Sequence, residues 1–396
     1  MKIIDIAEFY SPQGGGVRTY IHHKLEASAR LGHQTVIIAP GPHDREEVRR
    51  GGKIIWVKAP RLPLDRRYHL FRNMAGAHHI LDREAPDVVE GSSPWMGGWI
   101  AACWPGPAVK SFFFHQDPVA SYPQTFLGPL FGARGVDRLF SWFWAYLRKL
   151  TARFDTSIVS GEWLASRMEN FGLRRPQAIP LGIDRKNFSP ILRNRAERRR
   201  MLAACGLDCE DAALFVTVSR HHPEKHLGTL IDAFEKASRR QPMGFFLIGD
   251  GPSRRWVERR AARTPGVYVA GAVTDRQVLA RYLASADAML HGCASETFGI
   301  VIAEALCSGL PLVVPNVGGA AELAAADYAE TYPAGNADAC AEAIARLLAQ
   351  TRAPLGAAAV KAAQSRVHSP EDHFRALFAH YERLIEQQRP PLAATG

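Results

Sequence analysis

The sequence predicts an α/β protein with two doubly wound domains facing a central cleft. Three observations carry that expectation. Apolar runs of strand length alternate with amphipathic helical stretches along nearly the whole chain. The alternation restarts near residue 212, after an irregular basic stretch from Arg185 to Arg200. Glycine-bearing or charged turns follow several strands, at the carboxyl ends where parallel sheets of this kind bind ligands.

In the first half, strands are read near Lys2–Ala7, Thr35–Ala39, Ile54–Val57, Val88–Glu90, Val109–Phe114 and Ser157–Ser160. Each is a near-continuous apolar run, as expected of strands covered on both faces. In the second half they lie near Leu214–Val218, Phe245–Gly249, Val267–Ala270, Ala288–Leu290 and Leu312–Pro315. The stretch with Pro190 and the run Arg198-Arg199-Arg200 reads as the link between the two halves. The expected domains are therefore 1–190 and 191–368. Residues 369–396 form a terminal helix, His373–Gln387, packing back on the first domain, and a disordered tail from Gln388.

Bulk properties narrow the function. Of the 396 residues, 47% are hydrophobic, enough for large buried cores. No apolar run approaches the ~18 residues that span a bilayer. The chain enters a strand at once without a leader-like segment, so a cytoplasmic protein is expected. Its six cysteines are scattered, and Cys205 and Cys209 lack a second ligand pair, so neither a disulfide framework nor a zinc site is predicted. Net charge is +10, and residues 1–186 hold 25 Lys and Arg against 17 Asp and Glu. That basic half suggests an anionic substrate or surface. No helix-turn-helix, zinc-finger or RNP spacing supports nucleic acid.

The segment from Ser295 to Leu306 carries the most chemistry. Glu296 lies in a short polar stretch after an apolar strand, and Glu304 lies on the helix-forming run that follows. Between them, Thr297, Phe298, Gly299 and Ile300 mark a helix start, whose free amides and dipole attract anions. Helical rise is ~1.5 Å per residue, so Glu304 sits one to two turns further on. Two carboxylates flanking an anion site suit one extended ligand with hydroxyls at both ends and phosphate between.

Other turns supply matching groups. Gly14-Gly15-Gly16 follows the first strand and permits close approach of a ligand. A dinucleotide fingerprint is absent, since the second strand ends Ala39-Pro40-Gly41 without an acidic residue. Arg220 and Lys225 leave the first strand of the second half, placed to neutralise a diphosphate. Gly249-Asp250-Gly251-Pro252 is a further turn at a strand end. His115 stands just past the Phe112-Phe113-Phe114 strand, and Asp117 before Pro118 reads as a turn-former. From Arg138 to Lys149 the chain is basic and aromatic. Leu139, Trp142, Phe143, Tyr146 and Leu147 fit one core-facing stripe, which leaves Phe140 and Trp144 over. Those two, with Arg66, Arg67, Arg148 and Lys149, could rest on anionic lipid or pack beneath a loop.

Together these parts resemble retaining glycosyltransferases of the GT-B fold, family 4 (glycosyl transferases group 1), over nearly the whole chain. The carrying residues are Gly14–Gly16, Leu181-Gly182-Ile183-Asp184 with Phe188 and Pro190, Arg220 with Glu224-Lys225, Gly249–Pro252, Glu296–Gly299 and Glu304-Ala305. His291-Gly292-Cys293-Ala294 departs from the Pro-Ser pair common in that family. The resemblance implies two Rossmann-like domains and transfer of a hexose from a UDP- or GDP-sugar to a lipid or polysaccharide-type acceptor, with retention of configuration. Glu304 would hold the ribose, and Arg220 and Lys225 the diphosphate. Glu296 would hold the donor sugar, aided by the Phe298 and Gly299 amides. Gly15 and Gly16 would approach the diphosphate, with His115 near the reacting sugar. Neither a metal nor a separate cofactor is implied, and location at the inner membrane face is compatible. A nucleotide-sugar epimerase and a non-catalytic sugar-nucleotide-binding protein are the competing readings.

Overall fold

A computed structural model describes residues 1–12, 16–63 and 67–388. Contacts gather the chain into two compact units. The first holds Met1–His115, Leu139–Pro180 and the C-terminal helix Pro370–Gln388; the second holds Gln116–Arg138 and Leu181–Ser369.

The first unit is built on an eight-stranded sheet. Its strands are β1 (Lys2–Ile6), β2 (Gln34–Gly41), β3 (Arg45–Arg49), β4 (Gly52–Lys58), β5 (Val88–Gly91), β6 (Val109–Phe114), β7 (Thr156–Val159) and β8 (Gln177–Ala178). Their order is β3-β4-β2-β1-β5-β6-β7-β8, parallel except for the antiparallel β3–β4 pair. The central strands are buried on both faces, which is why their sequences read as unbroken apolar runs. β3 reads Arg-Glu-Glu-Val-Arg and was invisible to that criterion. Its charges suit an edge strand that must not recruit another chain.

The second unit holds β9 (Ala213–Val218), β10 (Met243–Ile248), β11 (Val267–Gly271), β12 (Ala288–Leu290), β13 (Leu312–Pro315) and β14 (Ala329–Tyr332). The order is β11-β10-β9-β12-β13-β14, all parallel. Numbered within the unit this is 3-2-1-4-5-6, the order of dinucleotide-binding sheets. Strand order reverses between β9 and β12, so the crevice at their carboxyl ends is where a ligand is expected. All eleven strands read from the sequence are present.

Two local expectations are corrected. The basic run Arg198–Arg200 does not lie in an irregular link. It sits on a helix, Arg195–Ala204, whose start is capped by the Asn194 side chain accepting the Glu197 amide at 3.0 Å. In the aromatic segment the helix begins afresh after Phe140, at Ser141–Thr151. The restart changes the register. Trp144 is buried and stacks on Phe171 at 4.0 Å, whereas Leu139 and Trp142 are exposed.

Beneath the first sheet lies a charged cluster with no access to water. Lys24 Nζ donates to Asp5 Oδ2 at 3.0 Å and to Glu90 Oε1 at 2.6 Å. Tyr381, from the C-terminal helix, donates to the other Glu90 oxygen and contacts Ser111 Oγ at 3.0 Å. His373 Nδ1 on the same helix bonds the Pro180 carbonyl at 2.9 Å, and His380 meets Thr156 at 3.0 Å. The last helix is thus tied to β5, β6 and β7 by polar bonds as well as by Phe374 and Phe378, both buried. Removing one member of a buried ion cluster strands the others. Lys24→Met is expected to cost about 3–5 kcal/mol in urea unfolding, and adding Glu90→Gln should restore part of it. A loss within ~0.5 kcal/mol, as at an ordinary surface site, would show that the cluster does not hold the unit together.

Candidate active site

The second unit gathers its predicted residues at the reversal point. Lys225 ends a short 3-10 turn, Pro223–Lys225, after β9. Glu296 lies in the loop after β12. Lys225 Nζ is 3.0 Å from Glu296 Oε2 and 3.5 Å from Cys293 Sγ. His291 Nε2 is 3.5 Å from the same Glu296 oxygen. His291 is buried, and Lys225 and Glu296 expose under a fifth of their side chains. Burial alone would raise the Glu296 carboxyl. Lys225 and His291 outweigh it and hold Glu296 well below the usual carboxylate range. Burial likewise opposes the Lys225 charge, but Glu296 and Cys293 keep the ammonium well above its ordinary value. At His291 burial is again overcome, by Cys293 and Glu296, and the imidazole is raised. Lys225 and Glu296 are therefore both charged at neutral pH.

Backbone fit brings these loops together. A Cβ on Gly292 would lie 2.6 Å from the Lys225 carbonyl, so this approach requires glycine. Tyr332 Oη donates to the His291 carbonyl at 2.7 Å, and the His291 amide bonds Val313 at 2.9 Å. On the far side, the Gly319 amide bonds the Glu296 carbonyl at 2.6 Å, and a Cβ there would meet the Thr297 carbonyl at 2.7 Å. Thr297 thus lies in a loop braced from both sides.

Gly299 precedes helix Ile300–Cys307 with φ 82°, and no side chain caps that start. Its first amides carry the positive end of the helix dipole. Phe298 points into the core beside Ile302, whereas Ile300 is partly exposed. Glu304, buried on this helix, is held by Arg276 Nη2 at 2.5 Å. Burial raises its carboxyl and Arg276 only partly offsets this. Arg276 also covers the Phe188 ring at 4.9 Å. Arg220 is half-exposed, paired with the buried Glu224 at 2.8 Å. Gly251 packs against that loop: a Cβ would fall 2.5 Å from the His221 carbonyl. Loop packing alone therefore accounts for glycine at 251.

In the first unit, Gly14 and Gly15 lie outside the described residues. Gly16 opens the helix Gly16–Leu31. One turn later Tyr20 packs edge-on to His115 at 5.4 Å and bonds His373 Nε2 at 3.1 Å. His115 follows β6 and is also packed on Phe113 at 4.7 Å. Burial drives its imidazole down to about 4, with Asp5 opposing and Lys24 assisting, so it is neutral at physiological pH. Asp117 accepts the Val119 and Ala120 amides at 2.8 Å each, the turn-forming role expected of it.

Sequence reasoning missed several groups. Arg276 and Gly318–Gly319 reach the site from distant segments, with no local signal. His291 and Cys293 were seen only as a departure from a family pattern. Glu8, just after β1, is buried and bonded to Ser93 and to the Gly97 amide; an isolated glutamate after a strand carries no spacing signature.

Similarity to known proteins identifies the family and the fold. The profile of Glycosyltransferase Family 4 matches residues 14–187, and that of Glycosyl transferases group 1 matches residues 212–350. A GDP-mannose-dependent alpha-(1-6)-phosphatidylinositol dimannoside mannosyltransferase of Mycobacterium tuberculosis is 27% identical over 330 residues, 83% of this chain and 82% of its own. A GDP-mannose-dependent alpha-mannosyltransferase of Corynebacterium glutamicum is 26% identical over 350 residues, 84% and 79% of the two chains. Among solved structures, sucrose-phosphate synthase from Thermosynechococcus elongatus has a TM-score of 0.76 at 19% identity, covering 98% of this chain and 100% of that one. Anabaena HepE in complex with UDP has a TM-score of 0.71 at 15% identity, covering 97% and 99%. The chain belongs to the family 4 (group 1) glycosyltransferases and is a hexosyltransferase of the GT-B fold.

Proposed function

We propose that the chain transfers mannose from GDP-mannose to a lipid-linked acceptor at an anionic membrane surface, with retention of configuration. The observation that carries the donor reading is the Lys225–Glu296 pair at the β9/β12 reversal point, followed by an uncapped helix start and the buried Glu304. GDP-mannose is preferred over UDP-sugars because the full-length relatives named above are GDP-mannose-dependent.

In this reading the donor diphosphate takes over Lys225 and engages Arg220 and the amides near Gly299. These fixed positive groups meet the charge that grows as the nucleoside diphosphate leaves, without needing a metal. Glu296 accepts hydroxyls of the mannose, and Glu304 accepts the ribose hydroxyls once Arg276 swings aside. Gly251 lines the Arg220 loop. Glu296, committed to cationic partners and hydroxyls, does not serve as nucleophile. Same-face attack assisted by the leaving phosphate follows, and a trapped glycosyl-carboxylate intermediate would refute it.

A lipid acceptor is supported by an exposed apolar stretch in the second unit. Tyr122, Phe126, Leu130 and Phe131 are all about half-exposed or more, and Phe126 lies 6.1 Å from the His222 ring on the phosphate-loop side. Arg134 and Arg138 follow beyond a break at Gly132 (φ 67°) within Thr125–Leu139, and neither is ion-paired among the described residues. Apolar insertion beside free arginines suits anionic lipid. Among the described residues no helix is long and apolar enough to cross a membrane, so association would be peripheral.

Thermal shift with GDP-mannose should exceed that with UDP-glucose, since a ligand that binds only the native state stabilises it; the reverse order would discard the donor assignment. Glu296→Ala should lower turnover at least ~100-fold, as loss of a transition-state contact does. Near-wild-type turnover would remove Glu296 from the donor site. Vesicles with anionic phospholipid should co-float the protein, and Leu130→Ser with Phe131→Ser should abolish this; unchanged flotation would exclude that stretch. His115, depressed from 6.5 to about 4, binds its proton more readily unfolded than folded. Stability should therefore fall as pH drops from about 6.5 to about 4, and less so in His115→Gln, as read by urea titrations at each pH.

A further inference from the structure

The loop after β12 contains three metal-ligating groups of different chemistry. One ligand atom each from His291, Cys293 and Glu296 lies within 4.8 Å of the others. One tetrahedral ion with ligands ~2.0–2.3 Å from its centre holds them about 3.3–3.8 Å apart, so side-chain rotations of about an ångström bring these three into place. His291 and Cys293 are buried, and His291 Nε2 faces Glu296 Oε2 at 3.5 Å without completing a hydrogen bond. An imidazole nitrogen so placed beside a thiol and a carboxylate suits a borderline-soft divalent cation such as Zn2+.

A cation already sits there. The Lys225 ammonium is 3.0 Å from Glu296 Oε2 and 3.5 Å from Cys293 Sγ. Lysine and metal would share the same two anionic ligands, so they exclude each other. We propose that His291, Cys293 and Glu296 form a Zn2+ site whose occupation expels Lys225 from Glu296 and thereby blocks donor binding. Binding forms bonds from Zn2+ to the imidazole nitrogen, the thiolate sulfur and a carboxylate oxygen. The thiol proton, and the imidazolium proton wherever His291 carries one, are released to solvent; nothing is oxidised or reduced, and the fourth position is left to water. Lys225 keeps its charge and turns outward. The inhibitory half rests on the donor reading above; the metal site does not.

The closing experiment measures the metal directly. The full-length protein is titrated with Zn2+ against a chromogenic chelator, and separately with Co2+ to read the thiolate-to-metal charge-transfer absorption. One equivalent and a thiolate band are expected. Cys293→Ser should lose the band and weaken binding at least ~10-fold, the lower bound for disturbing even an outer-shell partner of a metal site. Lys225→Ala, which removes the competing cation, should bind Zn2+ more tightly than wild type. A melting curve on each variant confirms that it is folded. Unchanged affinity in Cys293→Ser, or no thiolate band in the wild type, overturns the site. Weaker binding in Lys225→Ala overturns the competition. If Zn2+ binds with the expected band yet mannosyl transfer proceeds unaltered, the metal site stands and the place of Glu296 in donor binding falls.

Discussion

The second unit is organised around a buried lysine–carboxylate pair. Lys225 and Glu296 leave two strands, β9 and β12, that are neighbours in the sheet but 71 residues apart in the chain. Each charge would be costly to bury alone, and each makes the other tolerable. Their 3.0 Å separation constrains the backbone around them. Gly292 must lack a side chain for its loop to reach the Lys225 carbonyl, and Gly319 must lack one for the chain after β13 to support Glu296 and Thr297. The glycines are part of the electrostatics, because they set the distance over which the charges interact.

Much of this was legible in the sequence, for physical reasons that can be named. Strands buried on both faces announce themselves as apolar runs, and the eleven strands read from the sequence include these as well as the apolar edge strand β11. β3 escaped because an edge strand exposes its charges, β8 because its two residues, Gln177–Ala178, make no run, and β14 because its four residues, Ala329–Tyr332, are only partly buried. Trp144 was misplaced because a helical stripe holds only while the helix continues, and this one restarts after Phe140. Glu296, Glu304, Arg220 and Lys225 could be singled out as candidates because strand ends and helix starts are local features. Arg276, His291 and Gly318–Gly319 act through contacts made across the fold, and a single sequence does not encode such contacts in its spacing.

In the first unit, Lys24, Asp5 and Glu90 form a wholly buried cluster beneath the sheet. The lysine is one cation set against two carboxylates. Burial first, and then Asp5, hold Glu90 up at about 7 despite Lys24. Tyr381 completes the cluster, so the C-terminal helix takes part in the charge balance of the N-terminal sheet. Tyr20 links the same helix to His115 through His373. His115 thus packs against Tyr20, which the C-terminal helix holds through His373, and burial keeps its imidazole neutral.

The two glutamates that span the donor motif differ in a way that follows from their partners. Glu296 is held by a lysine nearly as buried as itself, and its carboxyl is driven down. Glu304 is the more buried of the two, yet its partner Arg276 exposes about half of its side chain, and the carboxyl remains raised. A solvated guanidinium stabilises a buried anion weakly and leaves it easily. The Glu304 end is thus the easily opened end, and in the proposed donor reading the ribose hydroxyls replace Arg276 there at small electrostatic cost. Glu296 gives up Lys225 only to a group that compensates the lysine charge, and a diphosphate does so. In the proposed donor reading a free sugar, bringing no such charge, leaves the pair closed, whereas a sugar nucleotide carries the diphosphate that opens it.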